Sequence, residues 1–283
     1  MSARAVPLVP KPKLARDTGL LLYCSFIGGL IFAVLAVAVW ASFIRFWPYN
    51  LSLTLEKYAF GNFDSSGWEP YWNSLRMASL TAVIGPVVVF AGAYLIEKSR
   101  GFDTVRGLAQ FFAILPLAVP GLVLGLGYIF FFNAPGNPLN FLYATMSILV
   151  VNSGAHFYTV GHLTAATALK QLDAEFESVS ASLKVPFYVT LWRVTVPICL
   201  PATLDIAIYL FVNAMTTVSA VIFLYSTDTK LASVAVINMD EAGFTASAAA
   251  MATMIVVTSG AVKLLHVGLV RVLSRHTQAW RRR

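Results

Sequence analysis

The stretch DAEFESVSASLKVPFYVTLWRVTVPICLP, from Asp173 to Pro201, lies between long apolar runs in the second half of the chain. Asp173 can cap a helix, and the acids that follow it suit the first helical turn. The apolar stripe of that helix is Leu172, Phe176, Val179 and Leu183, and its polar face is Glu175, Ser178 and Ser182. This spacing predicts a short amphipathic helix.

A proline separates this helix from a second one. Val185 precedes Pro186, and a residue before proline avoids the α conformation. Pro186 itself suits the first turn of a short helix that includes Phe187 and Trp192. Two short helices between apolar runs can be held by a soluble partner or can lie on a membrane surface, and the apolar stripe alone does not distinguish the two.

The composition is that of a membrane protein. Hydrophobic residues make up 58% of the chain, charged residues 12%, and the mean hydropathy is +0.74, far above soluble domains. Cys24 and Cys199 are too far apart in sequence to indicate a disulfide framework or a metal site. The net charge of +7 comes from basic residues at the two ends and in short loops, which is typical of cytoplasmic segments and not of a nucleic-acid partner.

Six apolar runs are long enough to cross a bilayer, which takes ~20 helical residues. The predicted spans are residues 20–44, 71–96 and 107–132, a fourth within 141–169, and two more at about 196–225 and 245–270. We therefore expect an all-α polytopic membrane protein. Its predicted parts are a cytoplasmic arm (1–18), a six-span domain (19–270) with a cytoplasmic loop (170–195), and a basic tail (271–283).

Lysine and arginine counts predict the orientation. The arm, the loop after the second span, the 170–195 loop and the tail hold 4, 3, 3 and 5 of them, whereas the outer loops hold 2, 0 and 1. By the positive-inside rule, both termini and the 170–195 loop lie in the cytoplasm.

Nothing in the sequence predicts bond chemistry. Nucleotide-binding, nucleophile-elbow and zinc-protease motifs are all missing from it. Energy for uphill movement would then come from another chain or from an ion gradient. An ion-driven transporter would need acids at mid-membrane and usually an inverted repeat; the sequence offers one acid, Asp205, and no clear repeat. The other alternative is a membrane enzyme or an assembly factor. The sequence shows no catalytic constellation, which argues against it.

Polar residues in the fifth predicted span are candidates for a pathway. Asp205 either faces a cavity or is a hydrogen-bonded structural acid near the inner interface. Asn213, Thr216 and Thr217 make the rest of this span unusually polar. His156 and His162 are six residues apart, which is not one helix face, so we predict no metal site.

The third predicted span carries helix-breaking residues. Pro116 and Pro120 free backbone groups that neighbouring helices must satisfy. Gly121 and Gly125 form a small-x-x-x-small face suited to close packing. A kinked packing helix and a direct role in substrate contact both remain open.

Two of these segments resemble the permease subunits of type I, binding-protein-dependent ABC importers. In their Glu-Ala-Ala loop, Ser178-Val179-Ser180 takes the Glu-Ala-Ala place, Lys184 the glycine place, and Val194-Thr195-Val196-Pro197 the closing place. The namesake residues are absent, and only the frame matches. The Pro116 to Gly121 run resembles the same family.

The resemblance implies a six-span permease fold in a bacterial inner membrane. Its expected partners are two ATP-binding subunits, a second permease and a periplasmic binding protein, with ATP and Mg bound by the ATPase and no cofactor in this chain. The implied ATPase contacts are Phe176, Glu177, Ser178, Val179, Ser180, Leu183 and Lys184. The implied pathway residues are Asp205, Asn213, Thr216 and Thr217.

A narrower resemblance covers Met215 to Gly243. This segment is similar to permeases of the ferric iron, polyamine and 2-aminoethylphosphonate branch. Residues 219–224 and 231–236 are most similar to 2-aminoethylphosphonate permeases. The resemblance therefore implies 2-aminoethylphosphonate as cargo, with ferric iron or a polyamine as the alternative.

Overall fold

The computed structural model describes residues 12–46, 48–99, 101–173 and 175–277. It is predominantly helical. Long helices include α1 (Leu14–Ser42), α2 (Glu69–Lys98), α9 (Val196–Thr216) and α11 (Thr245–Thr277). Shorter helices are α3 (Asp103–Ile114), α4 (Gly121–Phe132), α5 (Met146–His156), α6 (Tyr158–Lys170), α7 (Glu175–Ser182), α8 (Phe187–Thr190) and α10 (Ala232–Glu241).

Within the described ranges, four helices are long and apolar enough to cross a membrane. They are Leu14–Ser42, Glu69–Lys98, Phe187–Thr216 and Thr245–Leu273, and the bent pair α3 and α4 can add a fifth. The expected fourth span is divided at Phe157 into α5 and α6, of 11 and 13 residues. Each is too short to cross alone, so the structure supports four or five candidate spans where the sequence predicts six.

The ends of the expected spans also shift. Helix α1 begins at Leu14, inside the stretch expected to form an arm, and residues 1–11 lie outside the described ranges. The fifth span ends at Thr216 and not near Tyr225. Helix α11 continues to Thr277, so the first part of the basic tail is helical, and residues 278–283 are not described.

The third predicted span is a bent pair of helices. Helix α3 leads into a 3₁₀ turn, Leu115–Leu117, and the axes of the two arms differ by 113°. Pro116 lies in that turn and Pro120 caps α4. The Thr159 hydroxyl of α6 donates to the Ala113 carbonyl at 2.9 Å. A neighbouring helix thus supplies a donor to backbone next to the break, as an apolar environment requires.

Two connections that the sequence predicts to be outer loops are more ordered than expected. After α1 the chain forms an antiparallel hairpin of β1 (Ile44–Phe46) and β2 (Asn50–Leu53), which the all-α expectation omitted. The expected loop 226–244 contains α10, whose Val234 and Met239 are buried against α2 and α11. Asn73 of α2 donates to the carbonyls of Asp228 and Lys230 at 2.9 and 3.2 Å and holds the entry to α10 in place.

The interior has two apolar clusters. The larger joins α2, α5, α9, α10 and α11 and includes Met77, Leu149, Met215 and Met251. The smaller joins α2, α6 and α9 at the end of the bundle nearer α7, and includes Val89, Leu169, Cys199, Ile206 and Leu210. Together they fix α9 between α2, α6 and α11, and α9 is the helix that follows the α7–α8 segment.

Candidate functional site

The α7–α8 segment, defined here as residues 173–195 without Ala174, lies between α6 and α9. The Asp173 carboxylate accepts the Glu175 amide at 3.1 Å, so it caps α7 as an aspartate at a helix start does. The Ser182 hydroxyl donates to the Ser178 carbonyl at 2.9 Å. Phe176, Val179 and Leu183 are exposed, and Leu183 is 70% exposed. Exposed apolar side chains on a short helix leave an apolar face uncovered within this chain.

A strained turn separates the two helices. Lys184 has φ of +51°, a left-handed conformation that L-residues other than glycine rarely adopt. Its amide and that of Val185 donate to the carbonyls of Ala181 and Ser180 at 3.1 and 3.0 Å, which closes the end of α7. Pro186 then caps α8 in an extended conformation. The residue in the glycine place of the loop frame thus adopts a glycine-type conformation.

The two short helices are tied to each other. The hydroxyls of Ser180 and Thr190 are 2.5 Å apart and link α7 to α8. Between the helices is a groove of about 440 Å³. Its lining is largely apolar, from Phe176, Val179, Val185, Val189 and Val194, with Glu175 and Arg193 among its charged members. The link and the groove make the segment one compact unit.

A π-helical turn connects this unit to α9. Residues Leu191–Thr195 form the turn, and the Val196 amide donates to the Leu191 carbonyl, five residues earlier. Helix is therefore continuous from Phe187 to Thr216. No loop therefore separates α8 from α9.

At the end of α6 that leads into the α7–α8 segment, an ion pair joins α6 to α2. Lys170 Nζ lies 3.2 Å from Glu97 Oε1, at the ends of α6 and α2 that lead into the connecting loops. His162 of α6 contacts Gln110 of α3, with Nε2 and Oε1 2.9 Å apart. These contacts fix the helix that precedes the α7–α8 segment against α2 and α3.

The expected pathway residues do not share one environment. Asp205 is exposed, and its Oδ1 lies 3.3 Å from His266 Nε2 of α11. Asn213 donates to the Tyr209 carbonyl of its own helix at 2.8 Å. Thr216 is exposed, whereas Thr217 is buried and its carbonyl accepts the Ser233 hydroxyl of α10. Asp205 and Thr216 lie on an exposed face of α9, and Thr217 does not.

The glycines of α4 allow a close backbone approach. A Cβ on Gly121 would lie 2.5 Å from Ser219 Oγ and 3.0 Å from the Ala220 amide nitrogen, and one on Gly125 would lie 3.1 Å from the Ala220 carbonyl oxygen. Asn152 of α5 also donates to that carbonyl. The small face of α4 therefore packs against the turn after α9 and not against a helix.

Sequence reasoning missed His266 and α10. His266 lies in an apolar run far from Asp205 in sequence, and no local pattern marks it. Helix α10 is short, and its position depends on contacts with residues that are distant in sequence, so no local pattern predicts it.

The fold matches that of ABC importer permeases. A subunit of a bacterial ABC transporter that imports the acidic polysaccharide alginate aligns with a TM-score of 0.70 at 14% identity, over 90% of this chain and 96% of that one. At this identity the likeness concerns the fold alone. No family model matches the chain.

Relatives of known class narrow this assignment. The ferric transport system permease FbpB of Actinobacillus pleuropneumoniae is 32% identical over 82% of this chain and 34% of its own length. A putative ferric transport permease-like protein, AfuB of Escherichia coli K12, is 35% identical over 32% of this chain and 77% of its own. A putative 2-aminoethylphosphonate permease, PhnV of Salmonella paratyphi A, is 26% identical over 72% and 76%.

The chain belongs to the permease family of binding-protein-dependent ABC importers, in the branch of the ferric and 2-aminoethylphosphonate permeases. Its apolar helices and its permease relatives support a multi-pass inner-membrane protein. It spans about a third of the length of the Actinobacillus relative.

Proposed function

We propose that this chain forms half of the translocation pathway of an ATP-driven importer, with a second permease, identical or homologous, forming the other half. A periplasmic binding protein delivers a small solute to the outer face. Two ATPase subunits, which bind ATP and Mg, dock on the α7–α8 segments of the two permeases. In this arrangement the chain crosses the membrane six times, and α5 and α6 together form the fourth crossing. Both termini and the α7–α8 segment are then in the cytoplasm.

The observation that supports this function is the exposed apolar surface of the α7–α8 segment beside a helix that enters the bundle. Phe176, Val179 and Leu183 are exposed on α7, and Phe187 and Trp192 are exposed beyond the turn. The continuous helix from Phe187 makes the segment a lever on α9. ATP binding by the partner would shift the bundle between two states because it favours one position of this lever.

Leu183→Arg tests the docking surface. We expect loss of copurification with the ATPase subunit, because a charge replaces an apolar contact in the interface. Ser182→Arg is the matched control, since it adds the same charge to the polar face of the same helix. Both variants should insert and elute like the wild type in detergent. Equal ATPase recovery with both variants would contradict docking through this face.

For the cargo, we propose ferric iron or 2-aminoethylphosphonate. Ferric permeases are the more similar relatives, at 32% and 35% identity against 26%. The sequence resemblance favours 2-aminoethylphosphonate, and identity to the relatives favours iron. Uptake of each radiolabelled solute, in a host that lacks its own systems and expresses the whole transporter, separates the two.

A further inference from the structure

An acid and an imidazole meet between α9 and α11. Asp205 Oδ1 and His266 Nε2 are 3.3 Å apart, with the Asp205 side chain 57% exposed and the His266 side chain 10% exposed. The sequence has no other acid between Glu177 and Asp228 and none after Glu241. Asp205 is therefore the one acidic residue in the sequences of α9 and α11.

The imidazole has unused ligand capacity. Within the described ranges, neither Nδ1 nor Nε2 of His266 has a hydrogen-bond partner, although both atoms are buried. Buried polar atoms are nearly always paired, because an unpaired one costs about 1–3 kcal/mol. Nε2 faces the exposed Asp205 carboxylate, so an additional ligand between the two side chains would satisfy both.

The pair lies near the inner end of the bundle. Twenty-one residues separate His266 from Thr245 at the outer end of α11, a rise of about 32 Å, close to the ~30 Å hydrocarbon thickness. Asp205 shares its face of α9 with Tyr209 and with the exposed Thr216, which lie four and eleven residues further on. The face thus leads from the outer half of α9 to the acid at its inner half.

We propose that Asp205 and His266 form a transient metal-cation site at the inner mouth of the pathway. The inference rests on the proposed import function. Carboxylate oxygen with imidazole nitrogen suits iron, manganese, cobalt and zinc ions. The described residues hold no cluster of three or more such ligands, so this two-ligand site binds weakly. Weak binding suits a pathway site, because a transported ion must leave it again.

The charges around the inner end of the pathway would oppose the exit of a cation, so a negatively charged group there would favour its passage. The predicted cytoplasmic loops are basic and would repel it. Lys263 lies one turn before His266 on α11, is exposed, and within the described ranges forms no ion pair with Asp205. Lys263 therefore does not neutralise the Asp205 carboxylate.

The site is tested first by binding. The detergent-purified full chain, freed of any affinity tag, is titrated with Co²⁺ alone and its visible absorption is followed. We expect Asp205→Asn and His266→Gln to weaken binding about tenfold or more, and Asp228→Asn, which changes an exposed outer acid, to leave it unchanged. Identical Co²⁺ titrations for the wild type and both site variants would overturn the proposal.

The second test separates this site from the import function. In cells with the whole transporter, we expect both site variants to keep the ATPase and to lose uptake of ferric iron, with Asp228→Asn importing normally. Normal iron uptake by both variants would refute the transient metal-cation site and would leave the proposed import function standing. Failure of the wild-type chain to recover any ATPase refutes the proposed function, and the Co²⁺ titration still decides whether the site exists.

Discussion

At the scale of single residues, two positions have identifiable effects on the stability of the fold. Lys184 adopts φ of +51° in the turn between α7 and α8, where glycine would be unstrained. Asp64, in the connection between β2 and α2, is an ion-pair partner of Lys230, and both side chains are largely buried. Lys184 strains the turn of the α7–α8 segment, and Asp64 ties the connection before α2 to the connection before α10.

Lys184→Gly should stabilise the protein by about 1 kcal/mol, because glycine removes the Cβ clash of a left-handed residue. The readout is the thermal midpoint of the detergent-purified chain. Lys184→Ala is the matched control, since it removes the charge and the long side chain but keeps the Cβ. Equal midpoints for the glycine and alanine variants would show that the turn is not strained.

The ion pair of Asp64 with Lys230 predicts that the stability of the fold depends on pH. Burial raises the pKa of its carboxyl, but hydrogen bonds from Lys230 and the Ser66 amide outweigh burial and hold the pKa below its ordinary value of 3.8. A pKa lowered by folding adds stability above the unfolded pKa and loses it as the pH falls through the folded one. Asp64→Asn should therefore lower the thermal midpoint at about pH 7.

The difference between the Asp64→Asn variant and the wild type should shrink as the pH falls from about 7 through the lowered pKa of Asp64, where the wild-type carboxyl also loses its charge. Asp228→Asn, at an exposed acid of the same loop system, controls for general acid effects. A difference that stays constant across this range would mean that the ion pair does not stabilise the fold.

At the scale of elements, sequence patterns predicted what local physics determines. The long apolar runs became α1, α2, α9 and α11, and the apolar stripe around Phe176 became α7, because hydropathy and periodicity are local. Helix α10 depends instead on Asn73 and on Ser74, whose hydroxyl accepts the Ala232 amide. The Asp205–His266 contact likewise needs two helices far apart in sequence, so neither could be predicted.

The π-turn at Leu191–Thr195 allows a sharp test of the lever. Deleting Val194 should convert the turn to α-helix and rotate the α7–α8 segment by about 100° around the axis of α9. The exposed docking face remains, so the ATPase should still copurify, but ATP-driven uptake should fall to background. Val194→Ala, which keeps the residue count, is the control. Normal uptake by the deletion variant would exclude a rigid link.

At the scale of the whole molecule, the bundle has a buried centre and two chemically different ends. Helix α9 packs against α2, α6, α10 and α11 and is the common neighbour in the interior. At one end the chain offers the hairpin and the buried α10; at the other it offers the exposed α7–α8 segment. Which of the two ends faces the cytoplasm stays a prediction from the lysine and arginine counts.

Labelling of single cysteines tests the orientation in cells. With Cys24 and Cys199 replaced by serine, a membrane-impermeant maleimide should label Ser65→Cys in intact spheroplasts and Ser182→Cys only after permeabilisation. Both positions are exposed, so access to the thiol depends on the side of the membrane. Labelling of Ser182→Cys in sealed spheroplasts would show that the topology is the reverse of the predicted one. A cytoplasmic ATPase could then not contact the α7–α8 segment.

Helix α1 rests on α11 and contributes only Ser42 to the buried residues of the protein. Its other side chains are largely apolar and exposed within this chain, so in a bilayer the acyl chains would select them for hydrophobicity and length and not for shape. Substitutions of one aliphatic residue for another along α1 are therefore nearly free. Over evolutionary time this helix should drift in sequence faster than its neighbours.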